Sequence, residues 1–66
     1  METVKLTLKE IRQRKGYTQP EVAERVGITV TTYSLLENDI ERRRSVKAGT
    51  IKDIADMLGV KMEDIL

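Results

Sequence analysis

From Gln19 to Asn38 the chain reads QPEVAERVGITVTTYSLLEN, with apolar residues at Val22, Val26, Ile28, Tyr33 and Leu36. The set follows one helical face, breaks at Gly27, and resumes on a second helix set at a new angle. Ala23 is small where the second helix must pass close. Gly27 stands where the first must end in a left-handed turn that a side chain would strain. The spacing predicts a helix-turn-helix over about residues 18–38.

The same pattern places the other elements. Thr7-Leu8-Lys9-Glu10 and Thr18-Gln19-Pro20-Glu21 both have threonine followed three residues later by glutamate, the capping-box signature of a helix start. The first helix is expected from about Thr7 to Lys15, burying Leu8 and Ile11, with Gly16 at its end. The second covers roughly residues 19–26, with Pro20 in its first turn, where a missing N–H is tolerated. Thr29 caps a third helix running from Val30 through Glu37. After Asn38 the segment DIERRRSVKAG is polar and lacks clear periodicity, so it reads as a loop, the best candidate for a mobile segment, alone or with a turn of helix. Ile51, Ile54, Ala55 and Leu58 then define a fourth helix closed by Gly59, and Met62, Ile65 and Leu66 a short fifth. The expected architecture is all-α: a bundle of five short helices forming a single domain over residues 1–66.

Composition narrows the functional classes. Sixty-six residues are enough for one module with one small core. Without cysteine or histidine, disulfides and the usual zinc sites are excluded and aliphatic packing must supply the core. No metal, cofactor or small-molecule ligand is implied. An enzyme is a poor fit, since there is no histidine or cysteine nucleophile, no glycine-rich phosphate loop, and no concave pocket expected in so small a bundle. Asp53 and Asp56 read as a solvated face. The apolar runs are too short for a membrane span, and METVKLTLKE has no secretory h-region, so a cytoplasmic location is expected.

The net charge of +1 is unevenly spread. Residues 1–47 hold ten of the basic and seven of the acidic side chains, and the last nineteen hold two and four. The densest part is Arg42-Arg43-Arg44 with Lys47, directly after the helix-turn-helix. A charge run alone is a solvated loop; beside a candidate reading helix it forms an electrostatic footprint for a polyanion.

The segments LKEIRQRKGYTQPEVAERVG, ITVTTYSLLEN and TIKDIADMLGVKMEDIL, together spanning Leu6 to Leu66, resemble the lambda-repressor-like, Cro-type (XRE) family of helix-turn-helix regulators. The resemblance rests on Arg12, the GYTQ junction, Ala23, Gly27, the Leu36-Glu37-Asn38 helix end and the LGV-x-x-x-x-IL ending. It implies four or five helices and regulation of transcription in bacteria, phages and mobile elements. By position, Gln19 would touch a DNA phosphate, consistent with the partial positive charge and free donors of a helix N-terminus. Asn38 matches another backbone-contacting position, or serves as a helix C-cap. Arg12 and Glu37 match a largely buried ion pair of structural, not catalytic, value.

The base-facing positions correspond to Thr29, Val30, Thr31, Thr32, Ser34 and Leu35. They depart from the family by lacking any Arg or Gln, so readout would rest on hydroxyls and on methyl contacts to thymine. Leu35 could instead face a protein partner or an inward pocket. The Asp39–Gly49 segment is longer than the family pattern, which leaves Arg42, Arg43 and Arg44 assigned to phosphates by charge and proximity alone.

The expected function is a sequence-specific DNA-binding regulator, a small repressor of the phage or mobile-element type acting on an inverted-repeat operator in double-stranded DNA. Val60, Met62, Ile65 and Leu66 would offer a homodimer surface through the C-terminal helix, or merely close the core. The rival reading is a protein-interaction module of the same fold, an antitoxin-like or anti-repressor subunit.

Overall fold

The computed structural model describes residues 6–66; of the domain expected over residues 1–66, residues 1–5 lie outside the described residues. Both threonine-glutamate signatures start helices. Thr7 caps α1 (Leu8–Arg14) and Thr18 caps α2 (Gln19–Val26). Each hydroxyl accepts the backbone N–H of the glutamate three residues on, Glu10 at 3.2 Å and Glu21 at 3.3 Å. Each glutamate accepts its threonine's backbone N–H in return, at 3.0 and 2.8 Å. Donors that a helix start would otherwise leave open are thereby closed.

α2 ends at Gly27, whose φ of +87° lies in the left-handed region. There the Gly27 N–H donates to the Ala23 carbonyl at 2.9 Å, and the Ile28 N–H donates to the same oxygen at 2.9 Å. The turn folds the chain back sharply, and Thr29 at once caps α3 (Val30–Asn38), its hydroxyl accepting the Thr32 N–H at 3.1 Å. Ala23, almost fully buried, lies in the core beside Val22 and Tyr33.

The segment expected to be a loop holds a fourth helix, α4 (Ile40–Ser45). Asp39 joins it to α3, since its N–H donates to the Leu35 carbonyl at 3.1 Å while its carboxylate accepts the Glu41 N–H at 3.0 Å. The helical period was present but disguised: Ile40, Arg43 and Val46, three residues apart, are the half-buried positions, and the middle one is an arginine. α5 (Ala48–Leu58) begins three residues before its first core position, Ile51, and ends at Gly59. The expected fifth helix is a single 3₁₀ turn, Met62–Asp64, after which Ile65 enters the core. The described residues thus hold five α-helices and no strand; the expected fourth helix is α5, the expected fifth is the 3₁₀ turn, and α4 is the helix the sequence pattern did not assign.

The core lies where α1, α2, α3 and α5 converge, around Leu8, Val22, Tyr33, Ile51, Ile54 and Leu58, each at most 2% exposed. Val60, Met62 and Leu66 pack against it from the C-terminal segment, half-buried. Ile65 is therefore not available as an exposed contact; it closes the core.

Candidate nucleic-acid interface

α3 divides its residues cleanly. Tyr33, Leu36 and Glu37 turn inward, while Val30, Thr31, Thr32, Leu35 and Asn38 are exposed and Ser34 is half-buried. All the residues singled out for base reading therefore lie on or beside one accessible strip, led by the N-cap residue Thr29. Val30 and Leu35, 43% and 41% exposed, are the large hydrophobic side chains left open to solvent among the described residues. Thr29 also donates its hydroxyl proton to Thr32 at 2.9 Å, which leaves the Thr32 hydroxyl proton free to point outward.

Behind this strip, α3 is tied to the rest of the molecule by charge. Arg12 donates through Nε and Nη2 to the two Glu37 carboxylate oxygens, at 2.6 and 3.2 Å, and through Nη1 to the Tyr17 carbonyl at 2.8 Å. The side chains of the pair are 8% and 0% exposed. Gln19, half-buried at the start of α2, donates its side-chain amide to Glu37 Oε1 at 3.1 Å. This bond uses one of the two protons on that amide nitrogen. Burial pushes the Glu37 carboxyl up, but the donors from Arg12, the nearby Tyr33 hydroxyl and Gln19 pull it down further, so it sits below the usual glutamate value. The Tyr33 hydroxyl, completely buried against this pair, completes no hydrogen bond of ordinary geometry; burial above all drives its pKa upward.

The basic triplet does not act as a unit. Arg44 is exposed, with a loose contact to Glu41 at 3.7 Å. Arg42 is exposed too and lines a shallow groove with Thr32 and Leu35 of α3. Arg43 turns the other way. Its Nη1 donates to the carbonyls of Leu36 at 2.7 Å and Glu37 at 3.0 Å, and its Nε to the Ile65 carbonyl at 2.7 Å. The expectation that all three reach phosphates meets a physical obstacle at Arg43, three of whose five N–H donors are already held by protein carbonyls. Charge counting missed this; the i, i+3 spacing of Arg43 with Ile40 and Val46 was the available signal. Asn38, last residue of α3, is exposed and makes only a long 3.5 Å contact to the Ser34 hydroxyl, while the C-cap is Asp39.

Among the described residues, no three His, Cys, Asp or Glu side chains gather where a metal ion could bind, and no helix is long and apolar enough to cross a membrane. On the acidic face of α5, Asp56 pairs with Lys52 at 2.9 Å in the open.

A helix locked by a glycine turn behind a second, exposed helix, with cations beside it, is the architecture of a helix-turn-helix DNA-binding module. Comparison with known families agrees: the helix-turn-helix family model matches residues 8–65. The chain belongs to this family, the lambda-repressor-like XRE group of DNA-binding regulators. No curated protein and no solved structure matches it.

Proposed function

We propose that the protein is a sequence-specific transcriptional repressor of the phage or mobile-element type that lays α3 in the major groove. The observation that carries this reading is the exposed strip of Val30, Thr31, Thr32 and Leu35, bordered by the exposed cation Arg42 and backed by a buried ion pair. Hydroxyls and methyl groups on that strip select bases, with thymine methyls the natural partners of Val30 and Leu35. Gln19 and Asn38, together with Arg42 and Arg44, supply phosphate contacts and most of the affinity. A nine-residue reading helix contacts few base pairs, so two copies engage an inverted repeat with half-sites about 34 Å apart.

Selection of binding sites from random duplex DNA tests this directly. An enriched inverted repeat holding two chains per duplex is the expected result, whereas failure to enrich any sequence would shift the assignment to a protein-interaction module. The exposed apolar pair Val30 and Leu35 is the feature that favours that second reading.

A further inference from the structure

α3 ends without a glycine: its C-cap, Asp39, is extended, and the Asp39 N–H donates to the Leu35 carbonyl at 3.1 Å. The carbonyls of Leu36 and Glu37 belong to the last turn, where a helix has no partners of its own to offer. Arg43 reaches back from the next helix and closes both, then uses Nε on the Ile65 carbonyl at the far end of the chain. The task suits arginine alone, because a planar fork presents several fixed donors to separate acceptors, and an ammonium gathers its donors on one atom. A cation at this end also opposes the partial negative charge of the helix C-terminus.

The bonds set two orientations at once. They hold the C-terminal half of α3, with Leu35 and Asn38, against the segment that carries the buried Ile65. Turning Arg43 inward also swings its neighbours outward, since successive residues on a helix are about 100° apart. Arg42 accordingly falls in the groove beside Thr32 and Leu35, and Arg44 faces solvent.

We propose that Arg43 is a positioning residue for operator recognition: held by the carbonyls of Leu36, Glu37 and Ile65, it fixes the reading helix for DNA and makes no phosphate contact itself. The inference rests on the DNA-reading function proposed above. It assigns a specificity role to the C-terminal segment as well, through the Ile65 carbonyl, without that segment touching DNA.

The test compares the parent protein with Arg43→Gln, Arg43→Lys and Arg42→Gln, each measured where circular dichroism shows it folded, on a selected operator and an unrelated duplex across a range of salt. Arg42→Gln should weaken both duplexes alike and flatten the log–log salt slope by about one unit. Arg43→Gln should leave the slope and the unrelated duplex unchanged while lowering operator preference by about tenfold, the size of one lost base contact. Lysine should not restore it. A slope reduced by about one unit in Arg43→Gln, or an operator preference kept intact, overturns the proposal. Should that variant not fold, the parent protein decides by NMR. The Arg43 Nε proton should exchange slowly in the free protein and stay unshifted on operator binding while the Arg42 signal moves; rapid exchange, or a shift of Arg43 onto DNA, overturns the proposal. A parent protein that prefers no sequence would instead remove the DNA-reading function itself.

Discussion

Arg12 and Glu37, separated by 25 residues, meet through two hydrogen bonds with almost no solvent between them, Nε to Oε2 at 2.6 Å and Nη2 to Oε1 at 3.2 Å. The pair ties α1 to the inner face of α3, and through Gln19 it also reaches the start of α2. Two charges taken out of water add little net stability, because desolvation offsets their attraction. Their effect is on geometry: each charge is costly anywhere except against the other, so alternative rotations of α3 are disfavoured. The strip opposite Glu37 therefore faces out in one defined direction.

Removal of one partner should be far more damaging than the modest worth of the pair. Glu37→Ala leaves the Arg12 guanidinium buried with only the Tyr17 carbonyl, a loss of about 3–5 kcal/mol. A domain this small has roughly 5 kcal/mol to lose. The variant should be partly unfolded at room temperature by circular dichroism; an unchanged melting curve would show that the pair does not hold α3.

Acid should act on the same junction. Glu37, Glu10 and Glu21 all titrate below the ordinary glutamate value of 4.5, Glu10 and Glu21 because their carboxylates accept the capping threonines' backbone N–H and hydroxyl groups. A carboxyl whose folded pKa is depressed contributes stability that is present above its unfolded value and lost as pH falls through the folded one. Melting temperature should thus hold steady from neutrality down to about pH 5 and drop steeply below it. Glu37→Gln, which cannot ionise, should start lower and show a shallower acid limb; identical limbs would mean that Glu37 is not a source of the acid sensitivity.

The turn makes a separate demand. Gly27 has φ of +87°, and a Cβ built there would meet nothing within 4 Å. Space is thus no obstacle, and the backbone angle alone sets the cost of a side chain. Gly27→Ala should destabilise by about 1–2 kcal/mol, lowering the melting temperature by about 4–8 °C for each kcal/mol in a domain of this size. Operator preference of the folded protein should be kept, because the turn sets the angle between α2 and α3 in either variant. A variant that melts like its parent would show that the left-handed turn is not required.

The first three helices were legible because each is announced by local chemistry: Thr7 and Thr18 with their glutamates, Gly27 at the turn, Thr29 at the next start. Their bounds agree with the pattern to within a residue. α4 was hidden because its inward positions are Ile40, Arg43 and Val46, and an arginine satisfied by distant carbonyls looks like any other charge. Sequence also marked Arg12 and Glu37 only through resemblance, since nothing local says that residues so far apart will meet. What the pattern did supply for the interface was its outward strip, which follows from knowing that Tyr33 and Leu36 must turn in.

Leu35 separates the main reading from its rival. At 41% exposure it contributes little to the core, so Leu35→Ala should leave the melting temperature nearly unchanged and any effect will report on binding. If α3 reads bases, Leu35→Ala, like a change at Val30 or Thr31, should shift base preference by about 1–3 kcal/mol at one operator position. The salt slope should stay constant, because no phosphate contact is lost. Arg44→Gln should do the reverse, flattening the slope by about one unit with base preference preserved. If instead α3 meets a protein, Leu35→Ala will leave operator preference intact and abolish binding to that protein, and the major-groove assignment of α3 would have to be abandoned.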